Sequence, residues 1–127
     1  MQKKSKKKQT SKPLTQEDCK LIVTREEFEE SVKKLIDEGN ALNNTRLILN
    51  DGYKLWLYKI ENNLRVSFDH PECYLQEYDL LGGAGFFTSN MDIEKELHDD
   101  LTIILSFLES LMDRLHSMPS LVVSEKS

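Results

Sequence analysis

The chain has 127 residues, 39% hydrophobic and 31% charged, a balance typical of one globular domain and not of a fibre or an integral membrane protein. Its net charge of −5 hides an asymmetry, because residues 1–12 hold six of the 17 basic residues and no acid. The remainder has 11 basic and 22 acidic residues, a net charge of −11. Such a body repels duplex DNA, so only the basic segment could contact nucleic acid.

Residues 1–20 are polar and lysine-rich, and we expect them to form a disordered basic tail. No apolar run follows the lysines, so the segment does not resemble a secretory signal. The tail either tethers the protein to nucleic acid or an anionic surface, or only keeps it soluble. The lysines that would contact nucleic acid are Lys3, Lys4, Lys6, Lys7, Lys8 and Lys12.

The two cysteines, Cys19 and Cys73, stand alone, with no CxxC pair and no dense cysteine framework. Because Cys19 falls in the expected tail, a structural disulfide is not anticipated, and both residues are predicted to be free thiols in a reducing cytosol. No window of about 18 uninterrupted apolar residues is present, so no membrane span is expected. The predicted location is cytoplasmic.

A helical domain is predicted over residues 24–117. Thr24 and Glu27 have the spacing of a capping box, which opens a helix. Gly39 either ends this first helix or lies within it where another backbone comes close. Behind the cap, apolar residues recur at helical spacing at Phe28, Val32, Leu35, Ile36 and Leu42.

Residues 45–68 allow two interpretations. The Asp51-Gly52 pair between apolar runs is typical of a β-hairpin, with strands at 45–50 and 53–60. Against it, the apolar residues from Tyr53 to Phe68 fit one helical face, and the run from Leu55 to Tyr58 does not alternate. We favour a helix from about Asp51 to Phe68, with Asp51 as a candidate cap.

The residues before Pro71 should break this helix, and a short helix is predicted at Glu72–Leu81. Residues 82–87 form a glycine-rich connection to the longest helix, Ile93–Leu115, whose apolar stripe faces the core. Residues 118–127 should be a loose tail. The predicted fold class is therefore all-α, a small bundle of three main helices plus one short helix.

Residues 35–42 (LIDEGNAL) resemble the "LI-x-E-G-x-x-L" run of small helical modules in bacterial antiphage proteins. Trp56, Leu64 and Phe68 are similar to the Trp-bearing helix that follows in those modules, and Tyr78 matches a short acidic helix after it. These modules accompany TIR-like or abortive-infection effectors, where they sense or assemble. The resemblance implies no catalytic residues, and since no effector domain is fused here, it implies a separate partner.

No pattern of catalysis, cofactor binding or metal ligation is present. The glycines at 82–85 lack the GK[ST] of a phosphate-binding loop. Residues 94–100 are rich in metal-ligand types, but on a helix they point in different directions, and a solvated helix start explains them. No nucleophile stands beside a base. We therefore predict a non-enzymatic protein without a cofactor.

Partner binding is predicted at two neighbouring apolar residues outside the core stripe of the long helix, Ile103 and Phe107. Phe86 and Phe87, or the short helix, either cover this pair or complete a patch with it. The expected function is a protein-interaction or assembly module of an antiphage system, binding an effector or a second copy of itself. The alternatives are a small nucleic-acid-associated protein that uses its lysine tail, and an acidic inhibitor encoded by a phage.

Overall fold

A computed structural model describes residues 18–81 and 92–122. Within these ranges the chain is helical, and its extended pairing is limited to isolated bridges. The all-α prediction of three main helices and a short one is confirmed. The elements are α1 (Arg25–Leu42), α2 (Asp51–Ser67), α3 (Glu72–Asp79) and α4 (Ile93–Arg114), followed by a 3-10 turn (Leu115–Ser117).

Helix α1 begins at the predicted capping box. The Thr24 hydroxyl accepts a hydrogen bond from the Glu27 backbone N–H at 3.0 Å, and the Glu27 carboxylate accepts one from the Thr24 N–H at 3.0 Å. The pair satisfies backbone donors that a helix start leaves free. Four residues face the core from this helix: Phe28, Val32, Leu35 and Gly39.

Gly39 lies inside α1, which continues to Leu42. A Cβ atom added to Gly39 would lie 2.7 Å from Cδ2 of Leu105 and would overlap the edge of the Trp56 ring. The close approach that the sequence offered as one role for this glycine is therefore real, but the approaching group is an indole side chain and not a backbone. Trp56 is 1% exposed, and its Nε1–H donates to the Leu35 carbonyl at 2.8 Å.

The helical interpretation of the middle segment is confirmed, and the hairpin alternative is wrong. Asn50 is the cap of α2, since its side-chain oxygen accepts from the N–H groups of Gly52 at 2.8 Å and Tyr53 at 3.2 Å. Asp51 is instead the first helical residue, where its charge suits the helix dipole. The Asp-Gly pair thus opens a helix, because an asparagine one residue earlier supplies the cap.

Helix α4 packs against α1 and contributes more buried residues than any of the other three described helices. Asp92 caps it by accepting from the Lys95 N–H at 3.2 Å. Ile93, which we placed on the core stripe, is 41% exposed, so burial starts later than predicted. The residues of α4 that the bundle covers are Leu101, Ile104, Leu105, Phe107, Leu108 and Leu111.

The predicted boundary of the tail at residue 20 is wrong, because Cys19 already belongs to the core of the domain. Cys19 and Leu21 are fully buried, and Cys19 forms a disulfide with Cys73 of α3, across a sequence separation of 54 residues. The prediction of free thiols is therefore also wrong. Crosslinking a loop of this length stabilises a fold by about 4 kcal/mol in the chain-entropy picture.

Leu21 pairs with two other segments of the chain, and we call residues 18–22, 67–69 and 119–121 together the clasp. Leu21 forms bridges to Phe68 and Ser120. Its N–H donates to the Pro119 carbonyl at 2.9 Å, and its carbonyl accepts from the Leu121 N–H at 2.8 Å. The clasp joins both ends of the described chain to the end of α2.

The predicted loose tail from residue 118 also begins too early. Met118 is 3% exposed, and the Arg25 guanidinium donates to the carbonyls of Leu115 and Met118. These contacts hold the chain in place after α4. Three segments for which the sequence made predictions lie outside the described residues. They are the lysine-rich segment 1–17, the connection at residues 82–91 and residues 123–127.

No helix in the described ranges is both long enough and apolar enough to cross a membrane.

Candidate protein-docking groove

The predicted partner site on α4 is divided by the structure. Phe107 is 4% exposed, and its ring centroid lies 5.9 Å from that of Tyr78 in α3. Ile103 stays 44% exposed. The short helix therefore covers Phe107, as one of the two sequence interpretations allowed, and Phe107 cannot be the centre of an exposed patch. Phe86 and Phe87 lie outside the described residues.

Tyr78 is held in this position by a hydrogen bond as well as by packing. Its hydroxyl donates to the Leu57 carbonyl at 3.2 Å, which joins α3 to α2. Burial raises the pKa of the Tyr78 hydroxyl far above its ordinary value of 10.0. The hydroxyl therefore stays protonated and keeps its hydrogen bond to α2. Because this bond fixes the Tyr78 ring against Phe107, α3 is a structural cover over Phe107.

An open apolar groove lies instead between α1 and α2. Its wider end has a volume of about 330 Å³, with Trp56 as its deepest side chain. Leu55 is 54% exposed at this end, although it is a large aliphatic residue. The lining comes from both helices: Glu38, Ala41, Leu42 and Thr45 from α1 and the loop after it, and Gly52, Leu55, Trp56 and Lys59 from α2.

The groove continues along the same two helices. A second depression of about 280 Å³ is lined by Ser31, Lys34, Leu35, Glu38, Lys59, Asn62, Asn63 and Val66. The low-numbered residues of α1 thus face the high-numbered residues of α2, so the two helices run antiparallel. Val66 is 53% exposed at the far end. From Leu55 to Val66 is 11 residues, about 16 Å along a helix.

One ion pair separates the two depressions. Lys59 Nζ lies 3.1 Å from Glu38 Oε2, and each side chain is 45% exposed. A half-exposed pair contributes little to stability, commonly below about 1 kcal/mol. Its two long side chains can therefore move aside at small cost, and the groove can be continuous for an occupant.

Leu55, Tyr58 and Val66 of α2 are all more than half exposed, at 54%, 69% and 53%. Sequence reasoning noticed the run from Leu55 to Tyr58 only as evidence against a strand. Four consecutive apolar residues on a helix span about 300° around its axis, more than one core face can cover. That excess was the available signal for an exposed apolar surface on α2.

The acidic start of α4 has a structural role that the sequence did not reveal. The Glu94 carboxylate accepts from the backbone N–H groups of Leu47 at 2.7 Å and Ile48 at 3.1 Å, and lies 2.8 Å from His98 Nε2. These contacts, the Leu47 N–H first, lower the pKa of Glu94 from its ordinary value of 4.5. Glu94 therefore anchors the loop that connects α1 to α2, and with it the groove's wider end.

Metal-ligand residues do not converge in the part of the chain that the structure describes: no three His, Cys, Asp or Glu side chains there are placed to hold a metal ion. Glu94 and His98 share a helical face, as the sequence predicted, and the other ring nitrogen of His98, Nδ1, lies 2.7 Å from Oδ1 of Asn43.

No protein family, curated protein or solved structure matches this chain. The resemblance of residues 35–42 to the helical modules of antiphage proteins therefore stays a prediction.

Proposed function

We propose that the chain is a non-enzymatic protein-interaction module that binds an amphipathic helix of a partner protein in the α1–α2 groove. The observation that carries this proposal is the exposed apolar lining of the groove, with Leu55 and Val66 at its two ends and Trp56 beneath it. Large apolar side chains that a monomer leaves in solvent along a concave surface are typical of protein-interaction sites.

A helix is the occupant that fits this shape best. Two antiparallel helices leave between them a groove that a third helix fills with a row of apolar side chains on one face. The distance of about 16 Å between Leu55 and Val66 corresponds to about three helical turns. The partner helix should therefore carry apolar anchors at its two ends and a polar or charged residue between them, opposite Glu38 and Lys59.

The biological setting is proposed from the sequence resemblance. The residues that resemble antiphage modules include Trp56 and the LIDEGNAL segment of α1, and both contribute to the walls or floor of the groove. We therefore propose a component or regulator of a bacterial antiphage system, acting in the cytoplasm, with an effector protein as the occupant.

Site-specific crosslinking tests the groove. A photo-crosslinking amino acid replaces Leu55 in one variant and Leu80, which is 82% exposed directly after α3 and outside the groove, in a control. We expect a defined protein to be captured through residue 55 and not through residue 80. That protein, purified, should bind the unchanged chain, and Leu55→Asp should weaken its affinity at least about tenfold, because a charge replaces a buried apolar contact.

Circular dichroism should show the same helix content and melting temperature for Leu55→Asp and the unchanged chain. Capture only through residue 80, equal capture at both positions, or unchanged affinity of the Leu55→Asp variant would refute the groove as the docking site. Capture of a second copy of the chain through residue 55 would replace the effector by self-association, and sedimentation would then show a dimer that Leu55→Asp abolishes.

A further inference from the structure

The disulfide joins Cys19, a clasp residue, to Cys73 of α3. The clasp meets α2 at its last residues, whereas Trp56 lies nearer the start of that helix. Besides the disulfide, five hydrogen bonds hold residues 20–22 in place. The Ile22 N–H donates to the Ser67 carbonyl at 2.8 Å, and Lys20 and Asp69 exchange two bonds, at 2.7 Å to the carboxylate and 2.9 Å between backbones. The other two are the bonds of Leu21 to Pro119 and Leu121.

These non-covalent contacts involve a short extended segment outside the helices. Such segments open locally at a lower free-energy cost than helices packed in a core, because few buried contacts must be broken. In the first segment of the clasp, residues 18–22, the buried side chains are those of Cys19 and Leu21, both fully buried. A covalent bond between Cys19 and α3 keeps residue 19 on the domain during brief local openings, so the bond controls whether the clasp can separate completely.

We infer that the Cys19–Cys73 disulfide is a redox lock on the clasp, closed by oxidation and released by a cellular dithiol. In the release step a dithiol supplies two electrons and two protons. The sulfur–sulfur bond breaks, two thiols form at Cys19 and Cys73, and the dithiol becomes a disulfide. Release frees residues 18–22, and with them the covalent attachment point of the lysine-rich segment 1–17, to separate from the domain.

The burial of Cys19 and Cys73 limits the access of a reductant to the disulfide. Cys19 is fully buried and Cys73 is 8% exposed, so a reductant reaches the bond only when the clasp opens briefly. Cys73 Sγ lies 3.2 Å from the His70 carbonyl oxygen in the disulfide-bonded structure, so a thiol formed there on reduction is placed to donate a hydrogen bond to it. The clasp can therefore close again without the disulfide, and the lock is reversible. Disulfides that do form in cytosolic proteins commonly serve such redox sensing.

Amide hydrogen exchange tests the lock, because each bond of the clasp reports on its opening. Mass spectrometry first establishes the disulfide in air-oxidised protein and its loss in dithiothreitol. Exchange at the N–H groups of Leu21, Ile22 and Asp69 should then accelerate at least about tenfold on reduction, since the open clasp is no longer tethered. Amides near the exposed start of α4, such as that of Leu97, exchange by local opening, so their exchange should not change on reduction. The fluorescence of Trp56, the one tryptophan, should not change either.

Cys19→Ser is the matched control: it should show the fast exchange in either condition and no response to dithiothreitol. Acceleration of the locally opening amides of α4 equal to that at the clasp would refute a local lock and leave only general stabilisation. Unchanged exchange at Leu21, or absence of the disulfide after oxidation, would also overturn the inference. Because the clasp lies away from Leu55, failure here leaves the groove crosslinking result unaffected.

Discussion

Replacing Gly39 with alanine tests how closely Trp56 crosses α1. In a helix interior, alanine is favoured over glycine by about 1 kcal/mol. Here the added Cβ would overlap the Trp56 ring and lie 2.7 Å from Cδ2 of Leu105, so the core must shift. Overpacking of this kind costs about 1–3 kcal/mol. We therefore expect Gly39→Ala to destabilise the protein by about 1 kcal/mol net.

The effect of Gly39→Ala on the free energy of unfolding should change sign when the indole is removed. Trp56→Leu deletes the ring edge that meets the new Cβ, and itself costs up to about 3 kcal/mol through the lost packing. In that background only the flexible end of Leu105 must move, so Gly39→Ala should be neutral or stabilise by up to about 1 kcal/mol. The coupling between positions 39 and 56 is then about 1–2 kcal/mol.

Urea titrations followed by circular dichroism give the free energy of unfolding of all four proteins of this cycle. Circular dichroism is preferred to fluorescence because one substitution removes the chain's single tryptophan. If Gly39→Ala stabilises the unchanged chain by the full helix-propensity gain, or if its effect is the same in both backgrounds, Trp56 does not pack over Gly39 as described.

Two further predictions concern α4. Since the folded-state pKa of Glu94 lies below its ordinary value of 4.5, its contribution to stability is present above that pH and lost as the pH falls through the folded-state pKa. Glu94→Gln should therefore be less stable than the unchanged chain at neutral pH, with a gap in melting temperature that narrows on acidification; a constant gap would contradict the proposed loop anchor. Phe107→Asp should cost at least about 3 kcal/mol because it places a charge under Tyr78, whereas Ile103→Asp should stay within about 0.5 kcal/mol. Equal melting temperatures for these two variants would show that α3 does not cover Phe107.

The helices were predictable because the signals for them are local. Capping side chains such as Thr24 act within one turn, and apolar spacing of three and four residues reports on each helix separately. Even the ambiguous segment after Asp51 carried enough of this periodicity to favour a helix. The four elements therefore follow from stretches that the sequence presents without knowledge of their neighbours.

The contacts between distant segments could not be derived in the same way. Cys19 and Cys73 are separated by 54 residues, and nothing near either cysteine indicates the other. Leu21 is buried only because residues 68 and 120 meet it. The groove likewise depends on how α1 and α2 pack, and the sequence could show only that α2 has more apolar residues than one buried face requires.

The clasp also determines where the ends of the described chain emerge. Leu21 bonds to both Pro119 and Leu121, so anything joined before Asp18 or after Val122 starts from the same end of the bundle. The connection between α1 and α2, which borders the groove, lies about 27 Å away along the 18 residues of α1. Fusion partners or labels joined directly at Asp18 and at Val122 would thus be neighbours of each other and distant from Leu55. The same proximity suits residues 18–122 to circular permutation, with a short linker from Val122 to Asp18 and new ends in the loop after Leu42.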